Sequence, residues 1–132
     1  MISQLRGTLV QKSPTEVVID VHGVGYLLSI PLPTYETFAH AIGEVRILTY
    51  LHVREDAMQL FGFATEAERD LFRLLLSVSG IGPKMALGIL SGINTAGLRD
   101  AILTGNVLAL TSISGVGRKT AERIILELRT KL

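Results

Sequence analysis

One ten-residue phrase occurs twice in this chain. Residues 77–86 read SVSGIGPKMA and residues 112–121 read SISGVGRKTA, an offset of 35. Ser77/Ser112, Ser79/Ser114, Gly80/Gly115, Gly82/Gly117, Lys84/Lys119 and Ala86/Ala121 are identical, and Val78/Ile113 and Ile81/Val116 are near-equivalents. A phrase used twice implies one local structure built twice. Two copies are too few for a solenoid, so a duplicated helix–turn–helix unit is expected. In each copy a helix ends, a Gly-aliphatic-Gly turn reverses the chain, and a second helix begins. Ile81 and Val116 are predicted to point into the core and anchor the turn. The glycines permit positive φ and leave no side chain between backbone and ligand.

The chemistry of such a corner favours anions. Amides at the start of the second helix lack intrahelical acceptors, and the helix dipole is positive there. Lys84 and Lys119 stand two residues past the second glycine, where an ammonium reaches the same anion. Arg118 adds a cation to the later copy, and Pro83 suits the first turn of its helix. The predicted phosphate-binding set is Ser79, Gly80, Gly82 and Lys84, with Ser114, Gly115, Gly117, Arg118 and Lys119. A lone Gly-x-Gly would signify no more than a tight helix hairpin. Its duplication, with lysine at the same place, is what points to a phosphate.

Other chemistries lack their residues. A Walker A loop needs glycine directly before Lys-Ser/Thr, but Arg118 precedes Lys119-Thr120. A dinucleotide fingerprint needs a preceding strand, where this chain has a helical pattern. His22, His40 and His52 have no metal-ligand spacing, and no Ser-His-Asp or paired-carboxylate arrangement stands out. A hairpin-type glycosylase would need a catalytic acid downstream, and Glu122 and Glu127 already belong to an amphipathic helix. No catalytic residue, metal or cofactor is expected. With no cysteine in 132 residues, disulfide frameworks and thiol nucleophiles are excluded.

The first half of the chain follows a different period. Residues 2–12, 16–22, 26–31, 44–53 and 58–63 are short aliphatic and β-branched runs separated by Gly, Pro and Ser turn signals. Val17, Ile19 and Val21 alternate with their neighbours, as do Val45, Ile47, Leu51 and Val53, with Thr49 the exception. Five such strands predict an oligonucleotide-binding-type barrel, with a small β-sandwich as second choice; residues 34–42 are read as a helical turn over one mouth. The tip of the last hairpin, Arg54-Glu55-Asp56-Ala57, reads by itself as a solvated turn. Glu55 and Asp56 together would repel phosphates.

Helical spacing takes over after Thr65, which forms a capping-box pair with Glu68. Helices are predicted from there through Val78, then over 84–91, 95–103, 106–112 and 118–131, with Gly92 and Gly105 as stops. The expected fold is therefore α+β, with a five-stranded barrel over 1–63 and an all-helical domain with the two hairpins over 64–132. Charge divides the same way. Residues 1–63 hold four basic and six acidic side chains, whereas 64–132 hold nine and six, which suits the second half to an anionic partner. Leu, Ile and Val number 43 and mean hydropathy is +0.42, more aliphatic surface than a small monomer readily hides, so self-association is expected. The apolar stretch 71–90 is broken by Arg73, Gly80, Gly82, Pro83 and Lys84, so no membrane span is expected. Arg6 interrupts the opening residues, and a cytoplasmic protein is expected.

These residues carry a resemblance. Met1-Ile2 with Leu5-Arg6-Gly7, Gly23-Val24-Gly25-Tyr26, Val53-Arg54-Glu55-Asp56-Ala57, Phe61-Gly62-Phe63, Gly80-Ile81-Gly82-Pro83-Lys84 and Gly117-Arg118-Lys119-Thr120-Ala121-Glu122-Arg123 together resemble the RuvA family, the Holliday-junction-binding subunits of the bacterial branch-migration machine. The resemblance implies a non-catalytic subunit that binds a four-way junction by shape and holds it open and square-planar. It implies a homotetramer and leaves a face-to-face octamer open. It makes Glu55 and Asp56 an acidic pin, assigns the barrel to assembly, and assigns both hairpins to duplex arms. The RuvB ATPase and the RuvC resolvase are the implied protein partners. The family has a third, small helical domain that engages RuvB. No segment of 1–132 corresponds to it, so a chain shortened after its second domain is expected, able to bind junctions without recruiting the motor. A general duplex- or damage-binding module is the alternative.

Overall fold

A computed structural model describes all residues 1–132. The chain forms two compact units, Met1–Arg69 and Asp70–Leu132. No helix is long and apolar enough to cross a membrane.

The first unit is a closed barrel in the order β1-β2-β3-β5-β4. Its strands are β1 (Gln4–Lys12), β2 (Glu16–Val21), β3 (Val24–Ser29), β4 (Glu44–Arg54) and β5 (Ala57–Phe63). Every pairing is antiparallel except β3 with β5, which are parallel through Leu28↔Leu60 and Ser29↔Phe61. Alternation drives the closure. Val17, Ile19, Leu28 and Ile47 turn inward and are buried with Ile30. Two glycines permit the tight packing. A Cβ at Gly7 would collide with the Asp20 carbonyl, and one at Gly62 would lie 2.8 Å from Ile47 Cδ1. Thr49, the exception to the apolar alternation, is fully buried. Its hydroxyl donates to the Ile2 carbonyl at 2.8 Å and its amide to the Ser3 carbonyl at 2.9 Å, so the polar group is satisfied. The sequence placed a helical turn at 34–42. The helix α1 spans Leu32–Phe38, and Tyr35 and Phe38 pack on the barrel core. Lys12 Nζ donates to the carbonyls of Ala39 and Ala41 at 3.1 and 3.2 Å, closing its C-terminal end.

The boundary between the units lies six residues beyond the 63/64 division expected from sequence. It falls inside α2 (Glu66–Leu76). The capping box explains the shift. Glu68 N–H donates to Thr65 Oγ1 at 3.2 Å, and Thr65 Oγ1 donates to Glu68 Oε2 at 2.8 Å. The other carboxylate oxygen accepts from Thr34 Oγ1 at 2.7 Å, tying the first turn of α2 to α1. Arg69 Nη1 donates to the Ser3 carbonyl at 2.8 Å. The opening turn of α2 thus belongs to the barrel unit.

The second unit contains the remainder of α2 with α3 (Pro83–Gly92), α4 (Thr95–Thr104), α5 (Val107–Thr111), α6 (Arg118–Leu128) and a 3-10 turn at Arg129–Lys131. Phe72, Leu75, Ala86, Leu98, Ile102, Leu110, Ala121 and Ile124 are its fully buried centre. Gly105 stops α4 as expected, in the left-handed conformation at φ 67°. α3 ends at Gly92, the stop expected there, although Gly92 lacks the left-handed conformation of Gly105. A Cβ at Gly92 would lie 2.8 Å from Ile113 Cγ2. Close approach of the second hairpin to α3 requires glycine at this place.

Candidate nucleic-acid interface

The two hairpins have the same backbone. α2 and α5 each end on a serine whose hydroxyl folds back to the preceding turn. Ser77 Oγ donates to the Leu74 carbonyl and Ser112 Oγ to the Ala109 carbonyl, both at 2.6 Å. The next residue tightens the chain, with Val78 N–H donating to Leu75 O and Ile113 N–H to Leu110 O at 3.1 Å. Gly80 and Gly115 then adopt φ 88° and 86°. Ile81 N–H donates to Val78 O and Val116 N–H to Ile113 O, again at 3.1 Å. Ile81 and Val116 are each 6% exposed, the buried anchors expected of them.

The second glycine of each pair works differently from the first. Gly82 (φ −97°) and Gly117 (φ −87°) are extended, a conformation open to any residue. Each is the N-cap of the following helix and offers no capping side chain. A Cβ at either would meet nothing within 4 Å. Positive φ is therefore needed only at the first glycine; the second leaves the helix start open. The contrast lies within the same unit. α4 and α5 are capped by Asn94, whose Oδ1 accepts from Gly97 N–H at 2.7 Å, and by Asn106, whose Oδ1 accepts from Ala109 N–H at 3.0 Å. Only α3 and α6, the helices that follow the glycine corners, begin without a side-chain cap in this unit's capped series. The amides of their first turns, beginning at Lys84 in α3 because Pro83 has no N–H, remain available to an external acceptor.

The cations stand beside these starts. Ser79, Gly80, Gly82 and Lys84 are exposed, as are Ser114, Gly115, Gly117, Arg118 and Lys119. Neither lysine is in an ion pair, whereas Arg118 Nε lies 2.8 Å from Glu122 Oε1. That pair is solvent-exposed on one helix face and is weak enough to open for a stronger anion. Two functional candidates escaped the sequence reading. Arg123 Nη1 donates to the Ser79 carbonyl at 3.2 Å, and Glu127 Oε1 accepts from Ser79 N–H at 3.4 Å. Both contacts join α6 to the first hairpin across more than forty residues, beyond the reach of helical periodicity and turn signals.

In the barrel unit, Glu55 and Asp56 form a two-residue tip between β4 and β5. The last pairing of β4 with the rest of the barrel is Leu48 with Gln4, and that of β5 is Leu60 with Leu28. The register pairs His52↔Gln59, Val53↔Met58 and Arg54↔Ala57 therefore extend past these pairings as a two-stranded ribbon, tied at its base where Gln59 Nε2 donates to Ser29 Oγ at 3.3 Å. Three pairs at about 3.3 Å each make a prong of about 10 Å. Glu55 and Asp56 are exposed and neither is in an ion pair.

Comparison with known proteins gives these features a context. Residues 1–62 match the family model described as the RuvA N terminal domain. Residues 72–130 match the model described as the SAM-like helix-hairpin-helix tandem. The chain is 54% identical to a protein of Syntrophotalea carbinolica, 54% to one of Chlorobium phaeobacteroides and 55% to one of Chloroherpeton thalassium. Each is named Holliday junction branch migration complex subunit RuvA. Each match covers all 132 residues of this chain and 66% of the relative's length.

Proposed function

The chain belongs to the RuvA family, and from that premise we propose that it binds four-way DNA junctions by shape, as a non-catalytic subunit of a branch-migration complex. The observation that carries this reading is the pair of equivalent, exposed glycine corners, each followed by an uncapped helix start and an unpaired lysine. Each corner offers backbone amides and an ammonium to one stretch of sugar-phosphate. Such contacts fix position and carry no base sequence. The proposed phosphate ligands are Ser79, Gly80, Gly82, Lys84, Ser114, Gly115, Gly117, Arg118 and Lys119.

Four subunits about a four-fold axis would present eight corners, two for each duplex arm of an open, square-planar junction. Four acidic tips would gather near the crossover, where Glu55 and Asp56 repel phosphates and keep the strands apart. The barrel supplies the self-association. An ATPase partner drives migration, and the hydrolysis belongs to that partner. The work is cytoplasmic, where the DNA lies.

Titration of a labelled synthetic four-way junction and a linear duplex of the same length, at several salt concentrations, tests this. Affinity should fall with salt at a log–log slope of about −0.9 for each phosphate neutralised. Replacing Lys84 and Lys119 together with Gln should weaken binding and flatten that slope by about two such contacts per subunit, about eight for the tetramer. A slope unchanged by the double replacement would overturn the phosphate grip. Equal affinity for junction and duplex would favour a general duplex-binding module, which the same corners could serve.

A further inference from the structure

The two hairpins match in backbone but differ in what stands behind them. The 35-residue register that relates the corners also pairs Arg123 with Gly88 and Glu127 with Gly92. α6 therefore presents an arginine and a glutamate where α3 presents two glycines. At the first corner the arginine and the glutamate hold both backbone groups of Ser79, the carbonyl at 3.2 Å and the amide at 3.4 Å. At the second corner Gly92 lies against Ile113, and the space beside Gly88 is open.

The first repeat also lacks a cation that the second possesses. Position 118 is Arg, and its counterpart at 83 is Pro. Lys84 is the only basic residue that the first repeat contributes at its own helix start. Arg123 stands where the missing charge would be useful. Its Nη1 lies 3.6 Å from the position of a Cβ on Gly80, beside the exposed corner. It is in no ion pair, unlike Arg118. A guanidinium carries five N–H donors, and the bond to Ser79 uses one of them. The other donors are free for a phosphate, which a guanidinium can engage through two parallel bonds.

We propose that Arg123 is a phosphate-binding residue of the first hairpin, lent by the helix of the second and positioned by the Ser79 carbonyl. The proposal rests on the phosphate-grip reading above and adds a residue to it. α6 then serves both corners: its start receives one phosphate through Gly117 and Lys119, and its second turn reaches the other through Arg123. Glu127 is the opposing charge at the first corner. It steadies the Ser79 amide and makes that corner less attractive to an anion, an effect that Arg123 offsets.

Salt dependence separates a phosphate ligand from a brace. The 132-residue chain is titrated with a synthetic four-way junction across salt concentrations, as parent, Arg123→Gln, Arg123→Lys and Glu127→Gln. Arg123→Gln should lower affinity and reduce the log–log slope by about 0.9 per subunit, about 3.6 for the tetramer. Arg123→Lys should keep the slope and lose part of the affinity, because the ammonium keeps the charge without the fork. Glu127→Gln should raise affinity by about two- to threefold at low salt. Loss of affinity in Arg123→Gln at an unchanged slope would make Arg123 a brace only and overturn the proposal. Should Arg123→Gln fail to fold in a thermal melt, Glu127→Gln decides, since unchanged affinity would show that no phosphate comes within reach of the Arg123 side of this corner. If Lys84→Gln with Lys119→Gln moves the slope while the Arg123 and Glu127 variants do not, this inference alone fails. If none of them moves it, the phosphate grip fails as well.

Discussion

Gly80 and Gly82 are two residues apart and are glycine for different reasons. Gly80 occupies φ 88°, where an L-residue pays about 1–2 kcal/mol. Gly82 is extended, and its Cβ would meet open space. Gly80→Ala should therefore lower stability by about 1–2 kcal/mol in denaturant unfolding. Gly82→Ala should cost less than about 1 kcal/mol, the difference between two poor capping residues, yet still weaken junction binding by crowding the helix start. Gly115→Ala and Gly117→Ala should reproduce the two outcomes. Equal stability losses at both glycines would contradict this division of labour. Ile81 belongs to the same corner and faces the other way, at 6% exposure. Ile81→Ala should cost about 2–5 kcal/mol, seen as a large fall in thermal midpoint. The sequence announced the anchors and the glycines together. It could not separate the glycines, because φ is a property of the finished turn.

At the scale of elements, short-range pattern was legible and long-range contact was not. Aliphatic and β-branched runs between turn signals located all five strands, and two of them also showed the period-two alternation of a half-buried strand. Thr49 broke the pattern because its partners, Ile2 and Ser3, lie 46 or more residues earlier in the chain. Thr65 and Glu68 announced the start of α2, but the second acceptor role of Glu68, toward Thr34, had no local sign. The packing role of Gly92 was hidden for the same reason. A glycine at a helix end looks like a stop, and only the finished packing reveals Ile113 Cγ2 at 2.8 Å from its would-be Cβ. Gly92→Ala should consequently destabilise the helical unit by about 1–3 kcal/mol through overpacking, although alanine is the better helix former. A stabilised Gly92→Ala protein in calorimetry would show that the close approach is easily relieved. Arg123 and Glu127 did leave one readable sign. Extending the repeat past its ten matching residues sets them against Gly88 and Gly92, and that mismatch marks where the duplicated units part.

Across the whole molecule, charge is distributed by unit. Met1–Arg69 holds five basic and eight acidic side chains, and Asp70–Leu132 holds eight and four. In the proposed reading, one unit attracts DNA and the other carries the acidic prong that repels it. Attraction alone would bind any duplex, since every duplex presents phosphates at the same spacing. Discrimination is a difference of affinities, and a repulsive element that penalises only the wrong partner enlarges that difference. A continuous duplex laid across the centre of the proposed tetramer would bring phosphates against Glu55 and Asp56, whereas an open junction would leave a gap there. Replacing both with Gln and Asn should therefore strengthen linear-duplex binding more than junction binding. Each charge pair at 4 Å in water is worth about 1 kcal/mol, so removing two such repulsions should lower the junction-to-duplex affinity ratio by about thirtyfold at low salt. The fall should shrink as the Debye length drops from about 10 Å at 0.1 M toward about 3 Å at 1 M. Parallel titrations of junction and duplex against the double variant measure the ratio directly. A ratio that stays put at every salt concentration would reduce the prong to a solvated turn and leave selectivity to the geometry of the hairpins.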